Sequence, residues 1–190
     1  SPFISHALRT RLIGDAVRLA RATRYKGLCT FEFLIDADAP ETYAFMEANA
    51  SVQVEHTVTE EVTGVDLVQA QIAIAGGQRL ADLGLDPATP PPARGHAIQV
   101  RINAETLQDD GATRPSAGML TRFDPPSGPG IRIDTGVVAG STIHPSYDSL
   151  VAKLIVHAPG DFTAAVKRLR RALDEFHIAG APTNLNVQRN

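Results

Sequence analysis

The chain has no tryptophan, one cysteine, two methionines and only 5% aromatic residues. A single cysteine, Cys29, permits no disulfide within the chain, so packing and hydrogen bonds must hold the fold, and a reducing, cytoplasmic setting is the expectation. No apolar run reaches the roughly 20 residues of a membrane span, and no signal-peptide pattern is visible. Positive charge is not in excess. Eighteen Lys and Arg against 21 Asp and Glu leave a formal charge of −3, which gives no support to nucleic-acid binding. The most local absence lies in residues 43–56, YAFMEANASVQVEH, which hold Glu47, Glu55, Asn49 and Gln53 but no lysine or arginine.

What is present describes an ordinary globular protein, 43% hydrophobic and 21% charged over 190 residues. That length suits one large domain or two small ones. The opening SPFISHAL reads as an entry into the middle of a longer polypeptide.

The periodicity predicts an α+β fold. Ser5 is placed to cap a helix running to Thr23, with Leu8, Leu12, Ala16 and Leu19 on its buried stripe. GLCTFEFLI and YAFME read as two strands joined by the turn DADAPE, in which Pro40 has no N–H for a ladder. Residues 59–76 read as helix, with Thr59 and Asp66 as caps and Gly64 as a break. Residues 82–95, with three consecutive prolines, are the best linker. Beyond it come short strand-like runs, HAIQVRI, MLTRF, GIRID and SLVAKLIVHA. A helix capped by Asp161 follows, burying Phe162, Val166, Leu169, Leu173 and Phe176 and turning Lys167, Arg168, Arg170 and Arg171 to water. TNLNVQRN looks like an unfinished helix. The organisation expected is residues 1–85 and 94–190 as two parts.

Alternate side chains of a strand share a face, so Glu32 points away from Phe31 and Phe33, while Glu47 and Asn49 point together. If the two strands pair as a hairpin, Glu32 and Glu47 lie side by side. Two adjacent carboxylates repel, and a divalent cation removes that penalty. Two acids and an amide oxygen suit Mg²⁺ together with water or phosphate better than a closed structural site. The competing reading is a solvated hairpin face. His56 reads as a packing or hydrogen-bonding residue, because no Cys or second His stands at metal spacing.

FEF, MEAN, QVEHTVTEEVTGVDLV, RGHAIQVRINAE, RPSAGMLTRF and GIRIDTGVVAGSTIHPSYDSLVAKLI, in this order, resemble the biotin carboxylase component of biotin-dependent acyl-CoA and pyruvate carboxylases. The resemblance covers the chain from about residue 8 onward. It implies the end of an ATP-grasp core followed by the β-rich C-terminal domain of a biotin carboxylase. The amino-terminal α/β domain, the glycine-rich lid and the phosphate-binding lysines would lie upstream of Ser1, so little or no turnover is expected of this chain alone. By the same resemblance Glu32, Glu47 and Asn49 hold Mg²⁺ or Mn²⁺ on ATP. Gln53, Val54 and Glu55 hold bicarbonate, and Glu55 is the general base. Arg132 stabilises the biotin enolate; the plainer reading pairs it with Asp134 or another surface acid. Tyr147 and Asp148, in SYDS, read as structural.

The implied reaction is attack of bicarbonate on the γ-phosphate of ATP, giving carboxyphosphate and then carboxylated biotin. The implied partners are a biotin carboxyl carrier domain, a carboxyltransferase component, the upstream half of the same enzyme and a further copy of the chain. The alternatives are another ATP-grasp ligase, of the carbamoyl-phosphate synthetase type, and a non-catalytic assembly module of the same fold.

One position departs from the family pattern Glu-x-Asn-x-Arg. Ser51 stands where the arginine of the bicarbonate site is expected. Serine has neither charge nor the planar fork that grips bicarbonate. The change is consistent with a silenced site, with drift in an inactive paralogue, or with replacement by another arginine such as Arg101 or Arg114.

Overall fold

The computed structural model describes residues 4–86 and 88–189, which divide into two compact units. The first gathers the residues up to His56 together with 64–92; the second holds 57–63 and 93–190.

In the first unit, helix α1 (His6–Thr23) is capped by Ser5, whose side chain accepts from the Leu8 N–H. Arg24, in the left-handed conformation, closes it. Leu8 is the only fully buried residue of this helix, so the expected apolar stripe is half-covered rather than sealed. Polar contacts fix α1 to the hairpin of β1 (Thr30–Ile35) and β2 (Tyr43–Asn49): Tyr43 Oη donates to Asp15 at 2.9 Å, and the Arg11 guanidinium lies 5.0 Å from the Tyr43 ring centre. The strand predicted from Gly27 starts only at Thr30.

The predicted helix over 59–76 is two helices. Residues 56–63 form α2 (His56–Thr63) and residues 67–75 form α3 (Leu67–Ala75), broken at Gly64, whose φ is +73°. Asp66 caps α3 by accepting from the Gln69 N–H at 2.7 Å. Thr59 is not a cap: it lies inside α2, where its carbonyl accepts from the Thr63 hydroxyl. The chain had already turned helical at His56, because the turn at Gln53 starts the ladder earlier than the side-chain pattern suggested.

The second unit is built on a three-stranded antiparallel sheet of β3 (His96–Asn103), β8 (Ile131–Thr135) and β10 (Leu150–Ala158), with β10 in the middle. Short ladders surround it: β4 (Glu105–Leu107) with β5 (Thr113–Pro115), β6 (Gly118–Met119) with β9 (Thr142–Ile143), and β7 (Arg122–Asp124) with β11 (His177–Ala179). The run MLTRF is therefore the ends of two strands, β6 and β7, and not one. Helix α4 (Phe162–Glu175), capped by Asp161, packs Ala172 and Leu173 against Ala152, Leu154 and Val156 of β10, with Phe176 just beyond its end and Leu185 of the short helix α5 (Leu185–Gln188) completing the cluster. Phe162, Val166 and Leu169 are half-buried, and Arg168, expected in water, bonds the His157 carbonyl. Gly118 and Gly180 stand where the backbone of one crosses that of the other, leaving no room for a Cβ on either.

Candidate active site

The hairpin of the first unit sets Glu32 opposite Glu47. A β-bulge makes this pairing. Glu32 faces Glu47 and Phe33 faces Phe45, so Met46 is the extra residue. Phe33 packs edge-on against Tyr43 and Phe45, at ring-centre distances of 5.8 and 5.9 Å, while the two glutamates stay together. Asn49 closes the cluster: its Nδ2 donates to Glu32 Oε1 at 2.7 Å and to Glu47 Oε1 at 2.9 Å. The amide thus stands between two carboxylates, supplying positive hydrogens where like charges would otherwise meet. Turned about its final torsion, the same amide presents its oxygen, and the set becomes three hard oxygen donors of the kind Mg²⁺ takes. The donor set fits that ion. Among the described residues no group of three or more His, Cys, Asp or Glu side chains could hold a metal.

The chain leaves β2 through an irregular stretch in which Ser51 and Glu55 are exposed and Gln53 and Val54 are half-buried. Gln53 Oε1 is buried and has no hydrogen-bond partner among the described residues. An orphaned buried acceptor is unfavourable by roughly 1–3 kcal/mol, so it marks a place where a donor is expected. The His56 ring nitrogen Nδ1 lies 2.6 Å from the Gln53 carbonyl, which is a hydrogen-bonding role and not that of a metal ligand.

Arg132 belongs to the second unit, on β8, and shares a strand face with Asp134. The face is polar. Gln99, Ile155 and Arg132 form one cross-strand row, and Arg101, Lys153 and Asp134 the next. Asp134 grips the guanidinium with both oxygens, Oδ1 on Nε at 2.8 Å and Oδ2 on Nη2 at 3.0 Å. Lys153 Nζ lies 3.2 Å from the same carboxylate. Two further acids, Glu60 and Glu61 of α2, accept from Arg132 Nη1 at 2.8 and 3.4 Å. These hydrogen bonds, first that to Asp134, hold the arginine more firmly protonated than usual, with partial burial opposing them and Glu60 and Glu61 adding to them. Burial pushes the Asp134 carboxyl up, but hydrogen bonds from Arg132 and Lys153 outweigh it and leave Asp134 below the ordinary carboxylate range. Pairing with Asp134 was readable at a spacing of two on a strand. Glu60 and Glu61 were missed; with Thr57 they follow i, i+3, i+4 on one helix, a signal legible only once the helix is known to start at His56. The Thr57 hydroxyl, fully buried, bonds Gln99 of the same face.

A carboxylate–amide cluster on the hairpin of the first unit and a clamped arginine on the α+β second unit accompany a fold of the ATP-grasp class. Residues 1–83 match the family described as carbamoyl-phosphate synthase L chain, ATP binding domain, and residues 99–190 match the biotin carboxylase C-terminal domain. The chain belongs to the biotin carboxylase family. It is 46% identical, over its whole length, to the biotin carboxylase of Nostoc, of which it covers 40%. It is 44% identical to the biotin-dependent acyl-coenzyme A carboxylase alpha3 subunit of Mycobacterium leprae, covering 30% of that protein. The biotin carboxylase domain of a thermophilic 2-oxoglutarate carboxylase, solved with bicarbonate, superposes with a TM-score of 0.91 at 38% identity, over all of this chain and 41% of that one. The chain thus spans well under half the length of these relatives. Among the described residues no helix is long and apolar enough to cross a membrane.

Proposed function

We propose that the chain is the C-terminal part of an ATP-dependent biotin carboxylase, which carboxylates carrier-linked biotin with bicarbonate. The observation that carries the reading is the cluster of Glu32, Glu47 and Asn49, a hard-oxygen set matched by position to the family's metal ligands. Bound there, Mg²⁺ or Mn²⁺ would neutralise charge on the ATP phosphates. Glu32 and Glu47 would hold the ion, and Asn49 would add its amide oxygen. Gln53 and Val54, in one segment with Glu55, hold bicarbonate, and Glu55 takes the single proton that must leave before bicarbonate is a nucleophile. Arg132 sets its charge against the oxygen on which the biotin enolate develops. Leu34, Phe45 and Met46 of the hairpin are 61%, 49% and 47% exposed, which fits strands that continue into a larger sheet.

The partners that go with this reading are a biotin carboxyl carrier domain, a carboxyltransferase component, the remaining ATP-binding half of the enzyme and a second copy of the chain, in the cytoplasm. Relatives named as acyl-CoA carboxylases support the multi-component setting.

Ser51 favours a second reading, a biotin carboxylase fold retained for assembly without turnover. The decisive experiment is bicarbonate- and biotin-dependent ADP release by the complete enzyme carrying this chain, compared with its Ser51→Arg variant. For a site impaired by the missing arginine, Ser51→Arg raises the rate by about 10²–10³-fold. Full activity in the Ser51 form shows that bicarbonate is held by another group. No bicarbonate-dependent activity in either form leaves the assembly role.

A further inference from the structure

We infer that Glu60 is the positioning residue for Arg132, with Asp134 setting the plane of the guanidinium and Glu61 acting as a weaker second arm. The inference rests on the reading of Arg132 as the group that meets biotin. An arginine carries five N–H donors in a rigid fork. Asp134 takes the Nε–H and one Nη2–H, and Glu60 and Glu61 take the two on Nη1. Among the described residues a single Nη2–H is left uncommitted. The charge is therefore presented through one N–H in one direction, and the long side chain is ordered before any acceptor arrives.

Glu60 dominates the pair from α2. Its side chain is 9% exposed against 26% for Glu61, and its contact is 2.8 Å against 3.4 Å. A buried, short, charge-assisted bond holds geometry more strictly than an exposed, longer one. Neutralising Arg132 needs no such arrangement, because Asp134 alone does that with two oxygens. What the extra acids add is direction: Asp134 fixes the fork within the plane of its own strand, and Glu60 pins the far nitrogen from the helix above it. Helix α2 follows directly on Gln53–Glu55, so the segment read as holding bicarbonate and the grip on Arg132 are parts of one continuous stretch of chain.

The test uses the complete carboxylase carrying this chain in the Ser51→Arg background. Glu60→Gln, which keeps size and removes charge, is expected to lower kcat/KM for biotin by about 10- to 100-fold, the usual effect of a displaced catalytic group. The KM values for ATP and bicarbonate stay within about twofold, and Glu60→Asp recovers part of the loss. A stabilising role alone would move all three substrates together or none. Arg132→Lys is measured beside it. If Arg132→Lys leaves the biotin-dependent rate unchanged, the assignment of Arg132 itself fails. If Arg132→Lys is costly and Glu60→Gln is not, only the role of Glu60 is overturned. A crystal structure of the Glu60→Gln variant reads the same point without turnover: a guanidinium swung off its Asp134 fork is expected, and one left in place overturns the inference.

Discussion

At the scale of single residues, Asp134 is a group whose charge state couples stability to pH. Its folded pKa lies below the ordinary carboxylate value because Arg132 and Lys153 bond it against the opposing effect of burial. A depressed folded pKa means that the unfolded chain binds the proton more readily. The contribution is therefore complete above about pH 4, the unfolded value, and is lost as pH falls through the lower folded one. Urea midpoints measured from pH 7 to pH 2 for the wild type and Asp134→Asn are expected to differ most at neutral pH and to converge below pH 4. A gap that persists unchanged to pH 2 would mean that Asp134 acts through shape and not through charge.

At the scale of elements, caps and a bulge decide more than propensity does. The Asp161 carboxylate accepts from the Ala164 N–H at 2.8 Å, satisfying a donor that α4 cannot pair internally. Asp161→Ala is expected to destabilise the second unit by about 1 kcal/mol, read as a lower melting temperature. Asp161→Asn, which keeps an acceptor, is expected to lose much less. The bulge at Met46 has no comparable signature. Phe45 and Glu47 have the same parity, so an unbroken strand would put the aromatic and the acid on one face. Only the extra residue lets Phe45 meet Phe33 while Glu47 meets Glu32.

At the scale of the whole molecule, β10 is the element on which the second unit depends. Val151, Ala152, Leu154, Ile155, Val156 and Ala158 are all at most 2% exposed, so the strand is buried on both faces and hydrogen-bonded on both edges. Its amides are expected to be the slowest in hydrogen exchange, opening only with global unfolding of that unit. Leu154→Ala is expected to cost about 2–5 kcal/mol, measured by chemical denaturation. The first unit has far less of this kind of core: Leu8 and Ala70 are its only buried apolar residues among those described.

The sequence by itself determined the class of fold, the helix of Asp161 and the break at Gly64, and put Asp134 among the partners open to Arg132. Each of these follows from periodicity, a cap, a left-handed glycine or a spacing of two, all local properties that act over a few residues. Ser51 stands out only against the resembled family pattern Glu-x-Asn-x-Arg, in which an arginine is expected at that position. Only the tertiary structure decided that Glu60 and Glu61 reach Arg132, that Asn49 lies between two glutamates, and that Gln53 Oε1 is buried without a partner. Glu60 and Arg132 are 72 positions apart, and Glu32 and Asn49 are 17. Contacts at such separations depend on strand register, on one bulge and on where a helix begins. A one-residue change in any of these turns a side chain to the opposite face, and no local pattern specifies them.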